Sequence, residues 1–156
     1  MHIYNEIDGS VFYNFQYINA LFDSMLELGV RPFVQFGSCP SQFATTLGTT
    51  FWWKGNGSPP RDMQKWVDLV RAFVQHCVGR YGIEEIEQWY FEVWNEPNLG
   101  GFWAGTRMQY FELYEATVKT VKNIASCLCV GGPSTSNFVP DDRFAGEKED
   151  LDARSI

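Results

Sequence analysis

The sequence predicts an α/β fold: a parallel sheet with helices packed outside it. Strand and helix signals alternate strictly between residues 30 and 132. The strand signals are short runs rich in aromatic and β-branched residues, and the helix signals repeat apolar residues at three- and four-residue steps. Alternation of this kind joins parallel strands through right-handed crossovers and leaves the helices covering the sheet.

Residues 1–13 read as a hairpin-like lead-in with Asp8-Gly9 at its turn. Over residues 14–28 the apolar positions Ile18, Leu21, Phe22, Met25 and Leu26 mark an amphipathic helix, with Asn14 as its N-cap and Gly29 as its stop. Residues 31–37 follow as a buried strand ending in glycine. The next stretch, 38–61, carries many Thr, Gly, Ser and Pro residues together with Phe51-Trp52-Trp53, and is long for a connection that lacks a function. Ser58 and Pro59 can open a second helix, whose face runs through Trp66, Val67, Val70, Phe73, Val74, Cys77, Val78 and Tyr81 until Gly82 closes it. A strand at 89–94, a helix at 108–125 with Phe111, Tyr114, Val118 and Val121 inward, and a strand at 128–132 complete the alternation. Residues 139–156 form a charged, aperiodic tail, and no internal repeat or interdomain linker is visible.

Composition excludes several classes. With 45% hydrophobic and 17% aromatic residues the chain can bury a core. Its apolar runs fall well short of the roughly 20 residues of a membrane helix, and residues 1–10 lack a signal-peptide pattern, so no membrane association is expected. A net charge of −7 without a Lys/Arg cluster gives no footprint for nucleic acid. Cys39, Cys77, Cys127 and Cys129 lack zinc-ligand spacing and read as buried free thiols, which points to a reducing, cytoplasmic compartment. His76 lies one place off its helix's apolar stripe and reads as structural or exposed.

The chemistry concentrates in Phe91-Glu92-Val93-Trp94-Asn95-Glu96-Pro97-Asn98, where a carboxylate stands at the end of a strand that proline stops. Ligands of parallel α/β proteins meet the carboxyl ends of strands. A carboxyl group held there beside Trp94, partly out of water, favours its neutral form and can donate a proton. The residues alone leave open a salt-bridged structural glutamate.

Trp94-Asn95-Glu96-Pro97 resembles the acid/base signature of the clan A barrel glycosidases. Tyr13-Asn14-Phe15, Leu28-Gly29-Val30-Arg31-Pro32-Phe33, Trp53-Lys54-Gly55-Asn56, Ser58-Pro59-Pro60, Tyr81-Gly82-Ile83 and Gly131-Gly132-Pro133 resemble family 39 β-xylosidases within it. The likeness runs over residues 13–138. It implies a TIM (β/α)₈ barrel, of which residues 14–138 would supply about three consecutive β/α units, a truncated segment; a closed barrel typically takes ~250 residues. It also implies hydrolysis of β-linked xylosides with retention and without a cofactor. By motif position Glu96 would be the general acid/base and Asn95 the residue that bonds the sugar hydroxyl beside the reacting carbon. The nucleophile would belong to the seventh barrel strand, which the sequence does not reach. Glu92 does not qualify, because four residues of strand put it roughly 13 Å from Glu96 where a retaining pair needs about 5–5.5 Å; an ion pair inside the barrel is its expected role.

Trp52, Trp53 and Lys54 are candidate sugar contacts, since indole faces stack on pyranose rings and the ammonium can bond hydroxyls, and Gly101-Phe102-Trp103 invites the same reading. Packing of the aromatic loop on its own barrel remains open. Two other readings also stand: an α-L-iduronidase-type hydrolase of the same family, and a carbohydrate-binding module without catalysis. A partial barrel would expose strand edges through which copies of the chain associate.

Overall fold

Asp8 and Gly9 both take positive φ, 50° and 78°, the backbone a two-residue type I′ hairpin loop requires. They join β1 (Tyr4–Ile7) to β2 (Ser10–Tyr13) as an antiparallel pair with Tyr4 opposite Tyr13. These features come from a computed structural model that describes residues 3–136. The expected tail at 139–156, the last residues of the family likeness, and His2 lie outside the described residues. Tyr4 pins the hairpin down, buried edge-on against Phe43 at 4.8 Å between ring centroids.

Helix α1 (Gln16–Glu27) begins one residue later than the sequence suggests. Phe15, not Asn14, holds the cap position, and the Asn14 side chain accepts the Gln16 N–H at 3.0 Å from one residue further out. Gly29 ends the turn at φ 73°. Of the predicted apolar face Phe22 is buried, Ile18, Met25 and Leu26 are half-buried, and Leu21 is exposed.

Strands β3 (Phe33–Phe36), β4 (Tyr90–Val93) and β5 (Cys129–Gly131) lie parallel in the order β3-β4-β5. The expected parallel sheet with outer helices therefore forms, as three adjacent strands without closure. β3 is buried on one face only: Val34 and Phe36 point to the helices while Phe33 and Gln35 stay open, because a pleat sends alternate side chains to opposite faces.

The crossover from β3 to β4 runs through α2 (Met63–Tyr81) and a short α3 (Ile83–Ile86) that the sequence did not announce. Asp62 caps α2 by accepting from Gln64 N at 2.9 Å and Lys65 N at 3.3 Å. The expected opening at Ser58 and Pro59 gives way to it, since the buried Ser58 hydroxyl is committed to Asn56 Oδ1 at 2.6 Å. The α2 face is Trp66, Leu69, Val70, Phe73, Val74 and Cys77. Each such apolar side chain, fully buried, stabilises by ~1.5–3 kcal/mol. Trp89 precedes its strand instead of joining it, fully buried with its indole N–H on Glu85 Oε1 at 2.9 Å.

Helix α4 (Arg107–Ile124) opens with a reciprocal capping box between Thr106 and Gln109. Its buried face is Tyr110, Leu113, Thr117, Thr120 and Val121. The stripe through Phe111, Tyr114 and Val118 is only half-buried, so the helix is rotated by about one residue, ~100°, from the expected setting. Threonine can face the core here because both hydroxyls are satisfied: Thr117 donates to Leu113 O and Thr120 to Ala116 O, each at 2.7 Å. Thr117 Oγ1 also accepts the Trp66 indole N–H at 2.8 Å, joining α4 to α2.

Candidate active site

β4 stops at Val93, and the chain then turns through two non-glycine residues in the left-handed region, Trp94 at φ 66° and Glu96 at φ 47°. Such conformations cost on the order of 1–3 kcal/mol each and persist only where surrounding structure imposes them. Trp94 supplies that structure. Its indole is buried, edge-on to Trp103 at 4.8 Å and tilted against Trp66 at 6.0 Å, and its N–H donates to Phe102 O at 2.8 Å. On the far side, Glu96 N donates to Ser134 O at 2.8 Å. Asn98, itself buried, clasps Ser136 with two hydrogen bonds of 2.9 and 3.0 Å. Neither the Asn98–Ser136 clasp nor the Ser134 contact carries a sequence signal.

Glu96 thus stands just past the carboxyl end of β4, half-buried. Among the described residues its carboxylate has no ion-pair partner. Glu92 is 8% exposed and sits opposite Gln35 on one side and Gly131 on the other. The ion pair expected for it is likewise not made among the described residues. The ladder keeps step from Glu92 opposite Gly131 to Asn95 opposite Ser134. That advance of three residues leaves Glu92 about 10 Å below Asn95.

A cleft of about 310 Å³ opens at this end of the sheet. One wall is the β4–α4 loop, with Trp94, Asn95, Gly101 and Phe102; the other is the β3–α2 loop, with Ser38, Thr50, Phe51, Trp53, Gly55 and Gly57, and Gln35 of β3 also lines it. The lining reaches Asn95 and not Glu96. Backbone bonds shape the aromatic loop: Thr50 N donates to Gly55 O at 2.7 Å, and Phe51 and Lys54 take φ 65° and 58° inside the turn. Trp53 stacks on Phe51 at 4.3 Å and 14° while keeping 56% of its surface open.

The site candidates therefore separate. Trp53 and Asn95 share the cleft. Trp52, 87% exposed, and Lys54 lie outside its lining. Trp103 is corrected to a core residue: it is fully buried, with its indole N–H on Thr106 O at 3.0 Å, and offers no face to a ligand. Gln35, Ser38 and Thr50 are cleft residues that sequence reasoning missed, whereas Gly101 and Phe102, read together with Trp103, do line the cleft. Only Gln35 left a trace, as the polar position of an otherwise apolar strand. His76 is structural, its Nε2 2.7 Å from Asn19 Oδ1 and its ring 4.8 Å from Phe15. Among the described residues no three His, Cys, Asp or Glu side chains gather to hold a metal, and no helix is long and apolar enough to cross a membrane.

Parallel strands in sequential order, outer helices and a cleft at the strands' carboxyl ends match the arrangement of an α/β-barrel segment. The family model described as "Glycosyl hydrolases family 39" matches residues 1–144, and the chain belongs to that family. It is 52% identical over 132 residues to a beta-xylosidase from Geobacillus stearothermophilus, covering 83% of this chain and 26% of that protein. It is 27% identical over 126 residues to an alpha-L-iduronidase from Mus musculus, covering 80% of this chain and 18% of that one. The GH39 enzyme from Xanthomonas axonopodis pv. citri superposes with a TM-score of 0.82 at 46% identity, over 88% of this chain and 28% of that one. The chain spans about a quarter of the length of its beta-xylosidase relative.

Proposed function

We propose that this chain is the acid/base segment of a retaining glycoside hydrolase acting on β-linked xylosides, with Glu96 as the proton donor and acceptor. The observation that carries the reading is the Asn95-Glu96 pair just past the carboxyl end of β4, with Asn95 lining the cleft that Trp53 walls. Glu96 protonates the glycosidic oxygen as the bond to the anomeric carbon breaks, while a nucleophilic carboxylate from a later barrel strand attacks that carbon. The ionised Glu96 then takes a proton from water as water displaces the enzyme carboxylate. Asn95 holds the hydroxyl next to the reacting carbon, in a contact that strengthens as positive charge develops. Trp53 stacks on the sugar's apolar face. The proposal requires no cofactor, because both steps are proton transfers coupled to displacement by a carboxylate or water.

A xyloside is favoured over an iduronide by the higher identity to the beta-xylosidase. The test is Glu96→Gln in an enzyme carrying this segment within a complete barrel. Turnover of poorly activated xylosides should fall by about 10²–10⁴-fold, the ordinary weight of general acid–base catalysis, whereas the glycosylation step for aryl xylosides with acidic phenols should lose much less. Equal loss on both substrates overturns the role of Glu96. Faster turnover of iduronides than xylosides overturns the substrate class, and sugar binding without turnover in the unsubstituted protein favours a binding module.

A further inference from the structure

The two walls of the cleft meet at a place that side-chain chemistry does not explain. Gly57 of the β3–α2 loop lies so close to the β4–α4 loop that a Cβ built on it would stand 2.7 Å from Gly101 O and 2.8 Å from Phe102 O. Both carbonyls are already in use. Gly101 O accepts the Thr50 hydroxyl at 2.7 Å, and Phe102 O accepts the Trp94 indole N–H at 2.8 Å. Gly57 O in turn accepts from Ala104 N at 2.9 Å, and Phe51 meets Phe102 edge-on at 5.1 Å. Gly57 is not among the residues in the left-handed region, so close approach is the demand that glycine meets here.

We propose that Gly57 is a positioning residue that sets how closely the aromatic loop approaches the loop following Glu96, and so fixes the cleft between Trp53 and Asn95. A methyl group at this position meets two backbone carbonyls, which cannot swing aside as a side chain could. It separates the loops and takes from Trp94 the acceptor that holds its indole, two residues before Glu96. The meaning of the cleft as a sugar site rests on the function proposed above; the coupling between the loops does not.

The experiment uses the 156-residue chain with ¹⁵N-labelled tryptophan, whose six indole N–H signals are assigned by single Trp→Phe substitutions. In Gly57→Ala the Trp94 indole signal should move upfield, away from its hydrogen-bonded position, and the Trp53 signal should move with it. Thr50→Val removes the bond to Gly101 without adding bulk and should move the Trp53 signal while leaving that of Trp94. Gly79→Ala, on α2 with nothing within 4 Å of the added methyl, should move neither. An unchanged Trp94 signal in folded Gly57→Ala overturns the proposal. If that variant does not fold, an unchanged Trp53 signal in Thr50→Val overturns it instead. Titration with xylobiose should shift the Trp53 signal of the unsubstituted chain and shift it less in Gly57→Ala. Absence of any shift in the unsubstituted chain counts against the sugar reading, while the Trp94 result still decides the coupling.

Discussion

Cys39 and Cys77 sit in the core, where burial disfavours the thiolate and pushes both up to about 12, whereas Cys127 and Cys129 are exposed. The expectation of four buried thiols thus holds for two, because the C-x-C pair just before and within the short edge strand β5 is left exposed among the described residues. At pH 8 a thiol reagent should modify two cysteines of the native chain rapidly, and all four after denaturation; mass spectrometry of the adducts checks this. Burial favours the protonated thiol, so the folded state retains protons that the unfolded chain releases. The stability the two buried thiols contribute is complete below the unfolded value of roughly 8.5 and is lost as pH rises toward the folded value. The tryptophans divide on the same principle. Trp53 and Trp103 have the same side chain, and burial makes one a cleft wall and the other a core residue.

The setting of α4 shows what periodicity leaves open. Its apolar residues fall on two adjacent stripes that share Val121, Tyr110-Leu113-Val121 and Phe111-Tyr114-Val118-Val121. A hydrophobic count favours the second, since Thr117 and Thr120 interrupt the first. The structure buries the first, because Trp66 on α2 brings an indole N–H that needs an acceptor and Thr117 provides it. Thr117→Val keeps the shape but leaves that donor buried and unpaired, and should cost about 1–3 kcal/mol in chemical denaturation. Thr117→Ser should recover most of the loss. Wild-type stability in Thr117→Val would mean that the bond does not hold α4 in its rotation. Capping shows the same division: the residues suggest that α2 opens at Ser58 and Pro59, and the structure caps it at Asp62, because the Ser58 hydroxyl is engaged by Asn56.

Among the described residues β3 and β5 each pair with one neighbour, so the sheet has two edges and an open face on which Phe33 and Tyr90 stack at 6.0 Å while 65% and 59% exposed. Aromatic surface beside unpaired parallel strands is a template for association. The 156-residue chain should therefore show a mass in light scattering that rises with concentration. It should release no nitrophenol from a nitrophenyl β-xyloside, because Glu92 lies too far from Glu96 to complete a retaining pair. A concentration-independent monomer would refute the exposed edges, and turnover abolished by Glu96→Gln would refute the incomplete site.

The amino-acid sequence by itself determined the order of the strands and long helices, the parallel class of the sheet and the placement of Glu96 at a strand's carboxyl end. These follow from local properties: apolar period, glycine and proline stops, and a hairpin turn in which Asp8 and Gly9 adopt the required φ. The cleft and its working parts were decided by tertiary structure. Ser38, Thr50 and Gly57 are ordinary loop residues until the crossover lays the β3–α2 loop against the β4–α4 loop. Which indole faces the cleft, which stripe of α4 is buried and why a Cβ at Gly57 would crowd the facing carbonyls depend on contacts between residues tens of positions apart. Periodicity records only which residues share a face of their own element; the partner that meets that face is supplied by the fold.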